Sequence, residues 1–170
     1  MSFPVDVVIM AAGKGTRMKS LRPKVLHRLA GRALAAHVIH CAQQVGARRA
    51  VVITGHQAAE VESALAPLGN STLPLQFVRQ EPQLGTGHAV QQAVPVLADD
   101  GVTLILSGDV PLTRPETLQA LLGVCGGQHL ALLTLDMADP TGYGRIVRGP
   151  GEDVQAIVEH KDASDEQRRI

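Results

Sequence analysis

The segment that most constrains the fold is Val5-Asp6-Val7-Val8-Ile9-Met10, which runs directly into Ala11-Ala12-Gly13-Lys14-Gly15-Thr16-Arg17-Met18. Its first half is short, β-branched and apolar apart from Asp6, a pattern that fits a parallel strand covered on both faces. In its second half Ala11, Ala12, Gly13 and Gly15 remove side-chain bulk, so a ligand can approach the backbone and the amides can form an anion-binding nest. Lys14 and Arg17 add positive charge to the same loop. The stretch therefore predicts a strand that ends in a phosphate cradle, and the competing description is a surface turn with two exposed cations.

Two familiar phosphate loops do not fit. A Walker A loop needs Gly-Lys followed directly by Ser or Thr, whereas Gly15 follows Lys14 and the upstream glycine is absent. A dinucleotide fingerprint needs a small residue three positions after Gly15, where Met18 stands, and an acidic residue closing the next strand, which residues 50–54 lack.

The chain beyond this loop alternates strand and helix signals. In Leu21-Arg22-Pro23-Lys24-Val25-Leu26 a proline holds Lys24 on a defined, extended path. Leu34, His37, Val38, Cys41 and Val45 recur at helical spacing over residues 33–45, with Gly46 as a C-terminal cap. His37 and His40 lie three apart without a third ligand nearby, which makes them structural or surface residues. Strands are expected at residues 50–54, 75–78, 102–106 and 130–135, and helices at 57–65, from Thr86 as N-cap, and at 115–122. Parallel strands joined by helices follow, in a doubly wound, Rossmann-like α/β sandwich with a mixed, mostly parallel sheet.

In such a sheet the ligand lies beyond the carboxyl ends of the strands, so three loops should face one crevice. The second is Gln80-Glu81-Pro82-Gln83-Leu84-Gly85-Thr86-Gly87-His88-Ala89, where Gln80 has the donors and acceptors to read a nucleobase edge or, equally, to cap the loop. The third is Ser107-Gly108-Asp109-Val110-Pro111-Leu112, in which Asp109 either caps a turn or holds magnesium. A basic, an amide-rich and an acidic loop at one edge together suit a magnesium nucleotide. Near the end, residues 141–148 and 154–159 flank Gly149-Pro150-Gly151, which predicts a small antiparallel excursion able to carry a second substrate. A final helix is expected from about Ser164.

Composition narrows the function classes. Sixteen Lys and Arg balance sixteen Asp and Glu, so attraction for anions must be local rather than a bulk field for nucleic acid or a membrane surface. Three aromatic residues, Phe3, Phe77 and Tyr143, offer no platform for stacking single-stranded nucleic acid. No window approaches the ~18 uncharged apolar residues of a membrane span, and a cytoplasmic protein with two unpaired thiols, Cys41 and Cys125, is expected.

In their order, Ala11 to Met18, Pro23-Lys24-Val25-Leu26-His27, Leu84 to Ala89, Gly108 to Leu112, Gly142-Tyr143-Gly144-Arg145-Ile146 and Ile157-Val158-Glu159-His160-Lys161-Asp162 resemble the sugar-nucleotide pyrophosphorylases. Within them the chain is similar to the uridyltransferase domain of the bacterial bifunctional N-acetylglucosamine-1-phosphate uridyltransferase/glucosamine-1-phosphate acetyltransferase family. The resemblance covers essentially all 170 residues. It implies the nucleotide-diphospho-sugar transferase fold and condensation of UTP with N-acetylglucosamine 1-phosphate to UDP-N-acetylglucosamine and pyrophosphate, a step toward peptidoglycan and lipopolysaccharide. By the resemblance Met10, Ala11, Ala12 and Gly13 hold the nucleotide, and Gln80, Gly85 and Thr86 meet the uracil end. Ser107 and Gly108 bind substrate beside Asp109, the magnesium ligand; Gly144 and Glu159 line the sugar pocket; Arg17 and Lys24 are catalytic, stabilising phosphate charge, and Lys24 also binds substrate. The family has leucine or a similar residue where Met10 stands and often tyrosine at Ser107. Its members continue into a hexapeptide-repeat β-helix that carries acetyl transfer and trimerises; no hexapeptide period occurs here. The expectation is a shortened gene product, residues 1–170 being a nucleotidyltransferase domain incomplete at its C-terminal side. Another sugar-1-phosphate nucleotidyltransferase and a nucleotide-binding module without turnover are the alternatives.

Overall fold

The computed structural model describes residues 3–15, 18–151 and 153–170. They fall into two compact units, Met1–Ala131 and Leu132–Ile170.

The first unit is built on four parallel strands, β1 (Val5–Met10), β4 (Arg49–Thr54), β5 (Leu75–Arg79) and β6 (Val102–Ser107), in the order β5-β4-β1-β6. A two-residue hairpin, β2 (Arg28–Leu29) with β3 (Arg32–Ala33), precedes the first helix. The helices are α1 (Leu34–Gln44), α2 (Ala58–Leu65), α3 (Thr86–Ala93) and α4 (Pro115–Cys125). Alternation along the strands divides the core between two faces. Val5, Val7 and Ile9 of β1 pack with Ala50 and Val52 of β4, Leu104 and Leu106 of β6, and the apolar stripes of α1, α2 and α4. Val8, Val51 and Ile53 point to the other face, against Ala89 and Ala93 of α3. Burial of β1 and β4 on both sides explains why their sequences are continuous apolar runs. The exception, Asp6, is only 2% exposed and is held by Arg48 (2.6 Å) and Arg49 (2.9 Å), with Arg48 also on Asp100. Burial alone would raise its pKa, but the hydrogen bonds and charges of the two arginines outweigh it and lower the value.

The second unit contains the antiparallel pair β7 (Arg145–Arg148) and β8 (Val154–Val158), the expected excursion, with a bulge at Val147 and Arg148.

Four expectations need correction. Residues 130–135 form no strand: Leu130, Leu133 and Leu135 are 87%, 61% and 79% exposed, and apolar composition does not make a strand without a hydrogen-bonded neighbour. Lys24 is not on an extended path but opens a 3-10 turn, Lys24–Leu26, since proline restricts the residue before it and leaves the one after it free to turn. Thr86 is the first residue of α3 rather than its cap; Gly85, at φ +98°, takes the N-cap position because the chain enters the helix through a backbone conformation that favours glycine. The helix expected from Ser164 is reduced to one 3-10 turn, Gln167–Arg169. Both cysteines are unpaired, Cys41 being buried in α1.

Candidate nucleotide site

Strand order explains where the site lies. The chain runs outward from β1 to β4 to β5, then returns to place β6 on the other side of β1. This reversal between β1 and β6 is a topological switch point, where the loops leaving two adjacent strands diverge and open a crevice. Met10 pairs in register with Ser107, so the loop after β1 and the loop after β6 start side by side. Gly108 donates its N–H to the Met10 carbonyl (3.0 Å), and a Cβ at this glycine would stand 3.0 Å from the same oxygen. The close approach accounts for glycine just before Asp109.

A cavity of about 350 Å³ opens at this edge, within the size range of small-molecule sites. Met10, Ala11, Ala12, Gly13, Lys24, Gln80, Gly85, Thr86, Ser107 and Asp109 all line it, so ten positions from four separate stretches of sequence converge. Gly108, between Ser107 and Asp109, is buried and is not among the lining residues. Arg17 lies outside the described residues.

Among the described residues that line the cavity, Lys24 and Asp109 are the charged ones. The Lys24 ammonium contacts the Asp109 carboxylate, with side chains 40% and 29% exposed. Gly15, at φ +60°, lets the first loop pack on this lysine, since a Cβ there would meet Lys24 Cβ at 2.7 Å. At the other end of the cavity Gln80 is buried; its Nε2 donates to the Gly85 carbonyl (2.8 Å) and lies 3.2 Å from His88 Nδ1. Its backbone N–H continues the pairing at the end of β5 by donating to Thr54 (2.8 Å). Gln80 thus holds the second loop, one of the two roles that its sequence position left open, while lining the cavity.

Sequence reasoning named the second loop but passed over Gln83, which also lines the cavity. Gln83 Nε2 donates to the Ala12 carbonyl (2.7 Å), linking positions 71 residues apart. A side chain that bonds to a distant backbone leaves no periodic signal to find it by. Its one local trace is its place two residues before Gly85.

In the second unit Gly144 and Glu159 line a separate cavity of about 730 Å³. Buried Arg145 organises the turn beside it, donating through Nη1 to the carbonyls of Pro140 (2.9 Å) and Tyr143 (2.6 Å). Among the described residues no cluster of three His, Cys, Asp or Glu is present, and no helix is long and apolar enough to cross a membrane. His37 instead bonds the Leu29 carbonyl (2.9 Å) and His40 approaches Gln43.

Known proteins resemble this chain in sequence and in fold. The bifunctional protein GlmU of Polaromonas sp. (strain JS666) is 67% identical across the whole chain, and that of Polaromonas naphthalenivorans (strain CJ2) is 70% identical over 98% of it. The chain spans 38% and 36% of the length of these curated relatives. Among solved structures, a UDP-glucose pyrophosphorylase in complex with UDP-glucose superposes on 96% of this chain and 70% of its own, with TM-score 0.71 and 19% identity, which shows a common fold. A nucleotidyl transferase from Methanothermobacter is 26% identical, with TM-score 0.58, over 72% of this chain and 58% of its own. The sheet thus has the fold of these solved structures, and, with residues 7–164 matched by the model of the MobA-like NTP transferase domain, the chain belongs to that family.

Proposed function

We propose that this chain catalyses uridylyl transfer, condensing UTP with N-acetylglucosamine 1-phosphate to UDP-N-acetylglucosamine and pyrophosphate. The observation that carries the proposal is the convergence of the small-residue loop, Lys24, Gln80 and Asp109 on one cavity at the switch point. The high identity to GlmU proteins supports the choice of substrates. A cytoplasmic setting goes with a nucleoside triphosphate substrate.

In this reading the amides of Ala12 and Gly13 receive phosphate oxygens, with Met10 and Ala11 at the strand end behind them, the Ala11 N–H donating to the Ile53 carbonyl (2.8 Å). Gln80, Gly85 and Thr86 read the uracil, whose N3–H donor and carbonyl acceptors match a side-chain amide and loop backbone. Ser107 and Gly108 form the floor, and Gly144 and Glu159 serve the sugar. The sugar phosphate is already an anionic nucleophile. Its oxygen bonds to the α-phosphorus as the bond to the bridging oxygen breaks, and pyrophosphate leaves with that electron pair. Such a step needs alignment and relief of charge repulsion more than a general base. Lys24, together with Arg17, is assigned to that relief.

Asp109 suits a divalent ion in the way that nucleotide enzymes hold magnesium. One carboxylate reaches the cavity, and it already has a cation against it in the Lys24 ammonium. A lone carboxylate is too small a donor set for a structural zinc site, but it suffices for magnesium, which takes most of its remaining ligands from phosphates and water. When bound, magnesium would neutralise charge on the triphosphate.

The test is pyrophosphate release from the purified chain with each nucleoside triphosphate and sugar 1-phosphate, with and without magnesium. Turnover selective for UTP and N-acetylglucosamine 1-phosphate is expected. Turnover only with another pair refutes the substrates, and UTP binding without product refutes the enzymatic assignment.

A further inference from the structure

We infer that Gln83 is a positioning residue for triphosphate binding, holding the Ala12–Gly13 peptide so that the Gly13 amide is available to phosphate; the inference rests on the nucleotide reading of the cavity. The Ala12 carbonyl accepts two hydrogen bonds, from Gln83 Nε2 at 2.7 Å and from the His56 backbone N–H at 3.2 Å. The peptide between Ala12 and Gly13 is trans. In a trans peptide the carbonyl and the following N–H point to opposite sides, so fixing one fixes the other. The two donors on the Ala12 carbonyl thus turn the Gly13 N–H away from themselves, and Gly13 borders the cavity. No hydrogen bond engages that N–H among the described residues.

Gly13 needs such a lock more than its neighbours do. It is exposed, and with no side chain it can rotate between orientations at little cost. The lock also has a dedicated space. At Gly55 a Cβ would stand 2.6 Å from Gln83 Nε2, 3.0 Å from Ala12 Cβ and 3.1 Å from Ala12 O. Only glycine there leaves room for the side-chain amide to reach the carbonyl. Gln83 belongs to the loop that carries Gln80 and Gly85, but those two are joined by a bond of their own, Gln80 Nε2 to the Gly85 carbonyl (2.8 Å), so the base side does not depend on Gln83.

Gln83→Glu tests this at nearly constant shape: the donor is replaced by a carboxylate oxygen that repels the Ala12 carbonyl. Gln83→Leu removes the donor without adding charge. Affinities of the full chain and both variants for UTP, uridine and inorganic tripolyphosphate are measured by titration calorimetry, with melting temperature as the folding control. If the competent peptide orientation falls to about a tenth of the population, UTP and tripolyphosphate affinities fall about tenfold. The expected result is a loss of that size for Gln83→Glu, a smaller one in the same direction for Gln83→Leu, and unchanged uridine affinity and melting temperature. Because the carboxylate of Gln83→Glu also repels polyphosphate directly, Gln83→Leu decides: polyphosphate affinities within about twofold of the parent in that variant overturn the inference, as does a parallel loss of uridine and UTP binding. If the parent binds tripolyphosphate but neither UTP nor uridine, the uridine nucleotide reading fails, while the tripolyphosphate arm still decides the role of Gln83. If the parent binds no polyphosphate, both fail.

Discussion

Replacing Lys24 by alanine separates what this residue contributes to folding from what it contributes to chemistry. In the resting structure Lys24 contacts Asp109 at a cavity mouth, with 40% and 29% of the two side chains exposed. A pair this open to solvent contributes only ~0.2–1 kcal/mol to stability. Removing it should lower the melting temperature by no more than about 4 °C for a chain of this size. If Lys24 stabilises charge on the transferring phosphates, its loss should raise the barrier by roughly 3–4 kcal/mol, two to three orders of magnitude in turnover. The two effects differ severalfold in free energy, so one variant can tell them apart. A third readout moves the other way. If Asp109 holds the metal, Lys24 and a divalent cation compete for its carboxylate, so Lys24→Ala should need less magnesium for half-maximal rate even as that rate falls. The assay is pyrophosphate release across a magnesium titration, beside a thermal melt. Near-normal turnover in a folded Lys24→Ala protein would refute the catalytic assignment, and an unchanged or increased magnesium requirement would refute the competition.

Two further changes address the metal and the core. Asp109→Asn keeps the shape but removes the charge that faces Lys24; it should shift half-maximal magnesium at least about tenfold upward with little change in melting temperature, measured in the same titration. Asp6→Asn acts far from the cavity, at the start of β1, and should cost about 1–3 kcal/mol near neutral pH in denaturant unfolding, since Arg48 and Arg49 lose a buried partner. The sign with pH follows from the lowered pKa of Asp6. Its contribution is fully present above the ordinary value of 3.8 and is lost as pH falls through the folded value, so the gap between parent and variant should close below about pH 4.

The parts of this molecule that were legible in its sequence are those governed by local pattern or by chain order. The Val5–Met10 strand shows as an unbroken β-branched run because both of its faces are buried. The position of the site follows from alternating strands and helices, since that topology sends the loops after β1 and β6 to one edge. Residues 130–135 misled for the complementary reason: a strand exists only with a neighbour to bond to, and composition cannot reveal whether an edge is available. The Lys24 turn was hidden because proline constrains the residue before it much more than the one after. Gln83 and Gly55 were missed because their importance lies in one contact with Ala12, which only the folded chain creates.

The mutual satisfaction of Lys24 and Asp109 has a consequence for how ligands enter. A triphosphate arriving without a cation draws Lys24 toward its own charge and leaves Asp109 facing anionic oxygens in a confined space. A divalent cation arriving alone displaces the ammonium from Asp109 and leaves a lysine without a counter-charge at the same mouth. Each ligand by itself breaks the resting pair and replaces one half of it; together they supply a partner to both residues. UTP and magnesium should therefore bind synergistically, with coupling of at least about tenfold, and linkage requires the same factor in either direction. Calorimetric titration of UTP with and without magnesium, and of magnesium with and without UTP, measures it. Because magnesium and UTP also associate in solution, the diagnostic comparison is with Asp109→Asn: the coupling in excess of solution complexation should vanish there, and its persistence would show that the ion pair does not govern entry.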